Sequence, residues 1–144
     1  MRRVPLPDEH HFSRYCKPTA VGRDGLPTAA AFEIRPSEEY LSVNWLEYFD
    51  TPDPGAAVEH VRETFRRKHY RVRRNGKFAV VNVGAALTAA AEAVGRRGRV
   101  EHIPLEDDES HAGLFGYSAD DLAAAVELRA LIRPEHVHPA VLDP

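Results

Sequence analysis

The chain carries one cysteine, Cys16, so it cannot close a disulfide within itself, and a reducing compartment is expected. It has no apolar run near the roughly 20 residues that a membrane span needs. Met1-Arg2-Arg3-Val4-Pro5-Leu6-Pro7 lacks the apolar stretch of a signal peptide. A cytoplasmic protein with no membrane partner is therefore expected. Strong catalytic signatures are also missing: there is no phosphate-binding glycine loop, no paired-cysteine zinc motif, no helical His-Glu-x-x-His and no glycine-flanked serine. These absences exclude families by signature, not by chemistry. Internal repeats, low-complexity segments and linkers are lacking too.

What remains is the composition of a folded domain. At 144 residues, with 43% hydrophobic and 28% charged residues, the chain can bury a core without staples. One domain over residues 1–144 is expected, with 1–8 and 135–144 as loose termini. A net charge of −3 gives no general affinity for nucleic acid, but the charge is unevenly spread. Residues 62–77 hold Arg62, Arg66, Arg67, Lys68, Arg71, Arg73, Arg74 and Lys77 against Glu63 alone. Residues 101–109 hold Glu101, Glu106, Asp107, Asp108 and Glu109 with no basic residue. The basic stretch can neutralise phosphates, form a solvated face, or pair with the acidic one within the molecule or across two copies.

Periodicity predicts strands over 11–17, 29–35, 40–45, 99–104 and 111–115. Asn75-Gly76 predicts a hairpin turn joining Tyr70–Arg73 to a strand at Phe78–Val83. Thr51-Pro52-Asp53-Pro54 opens a first helix, with Val58, Val61, Phe65 and then His69 on one stripe. A second helix runs from Ala85 to about Val94, stopped by Gly95. A third runs from a Ser118 cap to about Ile132, with Leu122, Val126 and Arg129 on its apolar arc. Residues 78–104 then form a β-α-β unit, and the class is α+β with a mixed sheet and about three helices.

Three polar clusters could carry chemistry. In His10–Lys17, alternation places His11, Ser13, Tyr15 and Lys17 on one strand face, and Arg14 and Cys16 behind Phe12 on the other. This is a solvated edge, or a site in which His11 is an acid or base and Arg14 an anion holder. In Leu41–Glu47, Trp45 is expected in the core with Leu41 and Val43, while Ser42 and Asn44 could hydrogen-bond a ligand or simply face solvent. In His102–His111 a turn could bring two histidines together around Asp107 and Asp108, at the carboxyl end of a strand. That cluster is an acid–base pair, a divalent-metal site of His102, Asp107, Asp108 and His111, or an acidic surface turn. His136 and His138 share a face if extended; Cys16 as a nucleophile would need a neighbouring histidine.

Ala31-Phe32, Leu41-Ser42-Val43 and Asp108-Glu109-Ser110-His111-Ala112, following an arginine-bearing first strand, resemble segments of small hypothetical bacterial proteins. The resemblance spans about residues 11–116; it implies that these polar residues form one site and supplies no activity.

The leading expectation is a pocket joining His11, His102 and His111 as acid–base groups to Arg14, Ser42 and Asn44 as ligand-binding groups, for a nucleotide or an RNA phosphodiester. The alternatives are a non-enzymatic interaction or accessory module, such as a homodimer, and a metal-dependent hydrolase. No cofactor is predicted, and a divalent metal is the one for which candidate ligands exist.

Overall fold

A computed structural model describes residues 3–142. Seven strands form one sheet: β1 (Val4–Pro5), β2 (His11–Cys16), β3 (Leu41–Trp45), β4 (Lys77–Asn82), β5 (Arg99–His102), β6 (His111–Phe115) and β7 (Val137–Pro139). Their spatial order is β1-β5-β6-β3-β2-β4-β7. Three helices accompany them: α1 (Pro54–Arg67), α2 (Val83–Val94) and α3 (Leu122–Arg129). The class is α+β in a single domain.

Every neighbouring pair in the sheet is antiparallel, so the expected mixed sheet is corrected. The β4-α2-β5 segment exists, and its two strands run the same way. Three strands, β2, β3 and β6, lie between them, so they never pair. The alternation of strand and helix led to the expectation of a parallel neighbour; the long crossover is invisible to local pattern.

Alternation sorts the core into two layers. Phe12, Cys16, Leu41, Val43, Ala79, Val81, Val100, Ala112 and Leu114 point to one face and pack under Ala86, Leu87 and Ala90 of α2 and Ala124, Ala125 and Leu128 of α3. The opposite face is covered only in part. There Phe78 and Val80 of β4 meet Ala57, Val58, Val61 and Phe65 of α1. Asp53 caps α1 by accepting from Ala56 N at 2.8 Å, Asn82 caps α2 through Ala85 N at 2.8 Å, and Gly95 closes α2 in the left-handed region at φ 82°.

Several local expectations change. Residues 29–32 form a 3-10 turn, Ala29–Phe32, and not a strand, as three consecutive alanines have little to pack on a pleated surface. Tyr70–Arg73 does not pair with β4, because β2 and β7 already fill both of its edges. The tail is not loose at 137–139, where β7 forms, and Arg62 Nε donates to Pro139 O at 2.9 Å. At the other end Val4 and Pro5 pair with β5; Met1, Arg2, Asp143 and Pro144 lie outside the described residues. Each edge strand is short and contains a proline. Helix α3 starts after Asp121 rather than after Ser118, with the Asp121 carboxylate accepting from Ser118 N and Oγ instead of from a helix amide, and it exposes Leu122 and Val126 while burying Ala124, Ala125 and Leu128. Trp45 is only half-buried, stacked on His10 at the end of the sheet.

Candidate functional site

The site originates in an interrupted ladder. Strand β2 pairs with β4 over six residues but with β3 at only two positions, Phe12 opposite Trp45 and Ser13 opposite Asn44. Beyond Ser13 the strands part, and the Arg14 side chain occupies the gap. Its Nε donates to Ala31 O and its Nη1 to Ser42 O, each at 2.9 Å. The guanidinium thus replaces ladder hydrogen bonds and ties the 3-10 turn to β3; Tyr117 fixes the same turn by donating to Phe32 O. Burial pulls the Arg14 pKa down from its ordinary value, with Cys16 and Tyr117 opposing the shift. An arginine nevertheless stays charged in a protein. Its remaining nitrogen, Nη2, has no partner among the described residues.

The gap opens into a cleft of about 610 Å³ that reaches both sides of the sheet. This is why Arg14, on the α2/α3 face, and Ser42, Asn44 and His111, on the α1 face, line one space. Helix α1 ends before it covers β3 and β6, and its apolar stripe of Val61 and Phe65 continues to Lys68 at the rim. The stripe does not continue to His69, which leaves the helix at φ 56° and is exposed.

The polar groups form two connected sets. Asp108, 1% exposed, accepts from Asn44 Nδ2 at 2.8 Å and from Lys68 Nζ at 2.7 Å. Asn44 Nδ2 also donates to Ser110 Oγ at 2.9 Å. In the second set His111 Nδ1 lies 2.9 Å from Ile103 O, and His111 Nε2 lies 3.3 Å from Ser42 Oγ. The ring of Tyr40 stands edge-on to His111 and lies where a Cβ on Gly113 would be, 2.6 Å away, so only glycine fits opposite Ser42. Tyr15, Phe65 and Tyr70 form an aromatic wall, with Lys68 Nζ 4.7 Å from the Phe65 ring centre.

Of the residues singled out from sequence, Arg14, Ser42, Asn44, Asp108 and His111 meet in this cleft. His11 does not: its Nδ1 pairs with Glu47 Oε2 at 2.7 Å, and it faces a separate cleft of about 450 Å³ shared with His136 and His138. His102 is also elsewhere, with Nε2 2.7 Å from Glu109 O and its ring edge-on to Trp45. The conceived metal set therefore does not assemble. Asp107 is exposed, Asp108 faces Lys68, and among the described residues no three His, Cys, Asp or Glu side chains are grouped to hold an ion. Cys16 is fully buried, and burial pushes its thiol up to about 12, which disfavours the thiolate a nucleophile requires.

Lys68, Tyr40 and Tyr70, which also line the cleft, are not among the candidate site residues that the sequence points to. Lys68 had a readable signal: it sits three residues after Phe65 and seven after Val61, on the apolar stripe of a helix otherwise flanked by arginines. The basic and acidic stretches do meet, and within one molecule, through Lys68 and Asp108. No family model, curated protein or solved structure matches the chain.

Proposed function

We propose that this cleft binds a phosphate-bearing ligand, a nucleotide or a phosphate group of RNA. The observation that carries the reading is Arg14, held rigid by two backbone carbonyls with one guanidinium nitrogen left for a ligand. A pre-oriented guanidinium loses little freedom on gripping an oxyanion. Lys17, Arg35 and Lys68 add positive charge along the same walls, partly offset by Glu33, Glu38 and Asp108. Tyr40 and the half-exposed Tyr70 offer ring faces on which a base can stack. The volume suits a mononucleotide, as small-molecule sites run from roughly 300 to 1,000 Å³.

Thermal unfolding with orthophosphate, adenosine and guanosine nucleotides and short RNA tests this. A ligand at 100 times its dissociation constant adds about 2.7 kcal/mol, a rise of roughly 5–15 °C. Arg14→Lys, which keeps the charge and loses the fork, should abolish most of that rise. The absence of any shift with every phosphate compound would end the reading.

A second reading, an accessory module with a protein partner, is favoured by Leu122 and Val126, 57% and 54% exposed one turn apart on α3. Sedimentation of the protein alone and with Val126→Asp separates it from the first: a self-associating module dissociates on the substitution, while the ligand cleft is untouched.

A further inference from the structure

We propose that Ser42 is a nucleophile and His111 its general base, and that the cleft hydrolyses an ester whose substrate also carries the phosphate that Arg14 holds. The substrate class rests on the phosphate reading; the nucleophile does not.

The geometry assigns the proton. Ile103 O can only accept, so the neutral His111 ring carries its hydrogen on Nδ1. Nε2 is then the acceptor, and the group it faces is the Ser42 hydroxyl at 3.3 Å. A backbone carbonyl thus orients the imidazole as a carboxylate does in the familiar triad, and the base points at the hydroxyl. The separation is long for a hydrogen bond, as catalytic contacts often are before substrate binds. Both residues come from the sheet itself. Ser42 lies opposite Gly113, and His111 is the diagonal neighbour on the same face, so backbone pairing fixes their approach. Among the described residues nothing besides His111 is bonded to Ser42 Oγ, and both residues line the cleft. A merely structural cross-strand pair needs neither the cleft nor an arginine anchored on Ser42's own carbonyl with a nitrogen to spare.

In the reaction, Ser42 Oγ bonds to the ester carbonyl carbon while its proton passes to His111 Nε2. The negative charge that develops on the carbonyl oxygen forms in a cleft carrying Arg14 and Lys68. The ester C–O bond then breaks, and the leaving alcohol takes the proton from Nε2. A water molecule, deprotonated by Nε2, attacks the acyl-serine; Ser42 regains the proton, and the acid is released.

A fluorophosphonate probe on the full chain, mapped by peptide mass spectrometry, tests this. A single adduct on Ser42 is expected in the native protein. It should be lost in Ser42→Ala and form at least about 100-fold more slowly in His111→Gln, with the circular dichroism of both variants unchanged. If His111→Gln does not fold, Ser42→Cys serves instead: its new thiol should react with iodoacetamide faster than the same thiol in the urea-unfolded chain. No Ser42 adduct above that of unfolded protein, equal labelling in His111→Gln, or a sluggish thiol in Ser42→Cys overturns the proposal. Labelling without any phosphate-induced thermal shift keeps the nucleophile and refutes the phosphate-bearing substrate.

Discussion

Lys68 and Asp108 show how much one side chain can decide here. The carboxylate is almost wholly removed from water, and its two oxygens depend on Asn44 and Lys68. Removing one partner of a buried pair leaves an uncompensated charge, which costs about 3–5 kcal/mol. Lys68→Met should therefore lower the urea midpoint far more than Lys68→Met combined with Asp108→Asn, in which no charge is stranded. A smaller effect comes from His138. Burial, and then Arg62, lower its pKa from the ordinary 6.5, while Asp53 opposes them. Below 6.5 the unfolded chain takes up a proton that the folded chain still refuses, so stability falls as pH drops through that window. The unfolding midpoint of the native sequence should decline from about pH 7 to about pH 5.5 more steeply than that of His138→Gln. At this scale the sequence is informative about type. Arg14, Ser42, Asn44 and His111 stand out as polar residues alternating on strands, and they meet. His11 and His102 stand out equally, yet each is spent on a local partner, Glu47 or the Glu109 carbonyl, which no spacing reveals.

Among the elements, the joint between β5 and β6 is the least tolerant. Gly98 enters β5 against the backbone of Phe115 and Gly116; a Cβ there would lie 1.9 Å from Phe115 O, and Gly116 itself sits at φ 123°. Backbone cannot yield as a flexible side chain does. Gly98→Ala is expected to cost at least about 3 kcal/mol, seen as a fall in the thermal midpoint without a change in the cleft residues. Elements with a strong period are legible: β2, β3, β6 and α2 fall within about two residues of their expected ends, and α1 opens at the expected Thr51–Pro54 segment. The 3-10 turn at Ala29–Phe32 is not, because its conformation depends on donors that arrive from far away, Arg14 and Tyr117. The same applies to β7, whose three residues become a strand only because β4 presents a free edge to them.

At the scale of the molecule, the cleft is a consequence of topology. The chain places α2 and α3 on one face and leaves α1 alone on the other, too short to cover the strands that hold Ser42, Asn44 and His111. A local pattern cannot disclose this, since strand order depends on the crossover from β4 to β5. The same order sends β1 and β7 to the outer edges, two and three residues long, with Pro5 and Pro139 in them. Replacing both prolines with threonine should raise light scattering on concentration, with the thermal midpoint in dilute solution nearly unchanged. A proline offers no amide hydrogen to an incoming strand, so an exposed rim built from it gives a neighbouring copy nothing to extend. An unprotected edge of a seven-stranded sheet would present unpaired backbone groups for another strand to join. Here the two shortest strands, each carrying a proline, blunt both rims of the sheet against templating another chain.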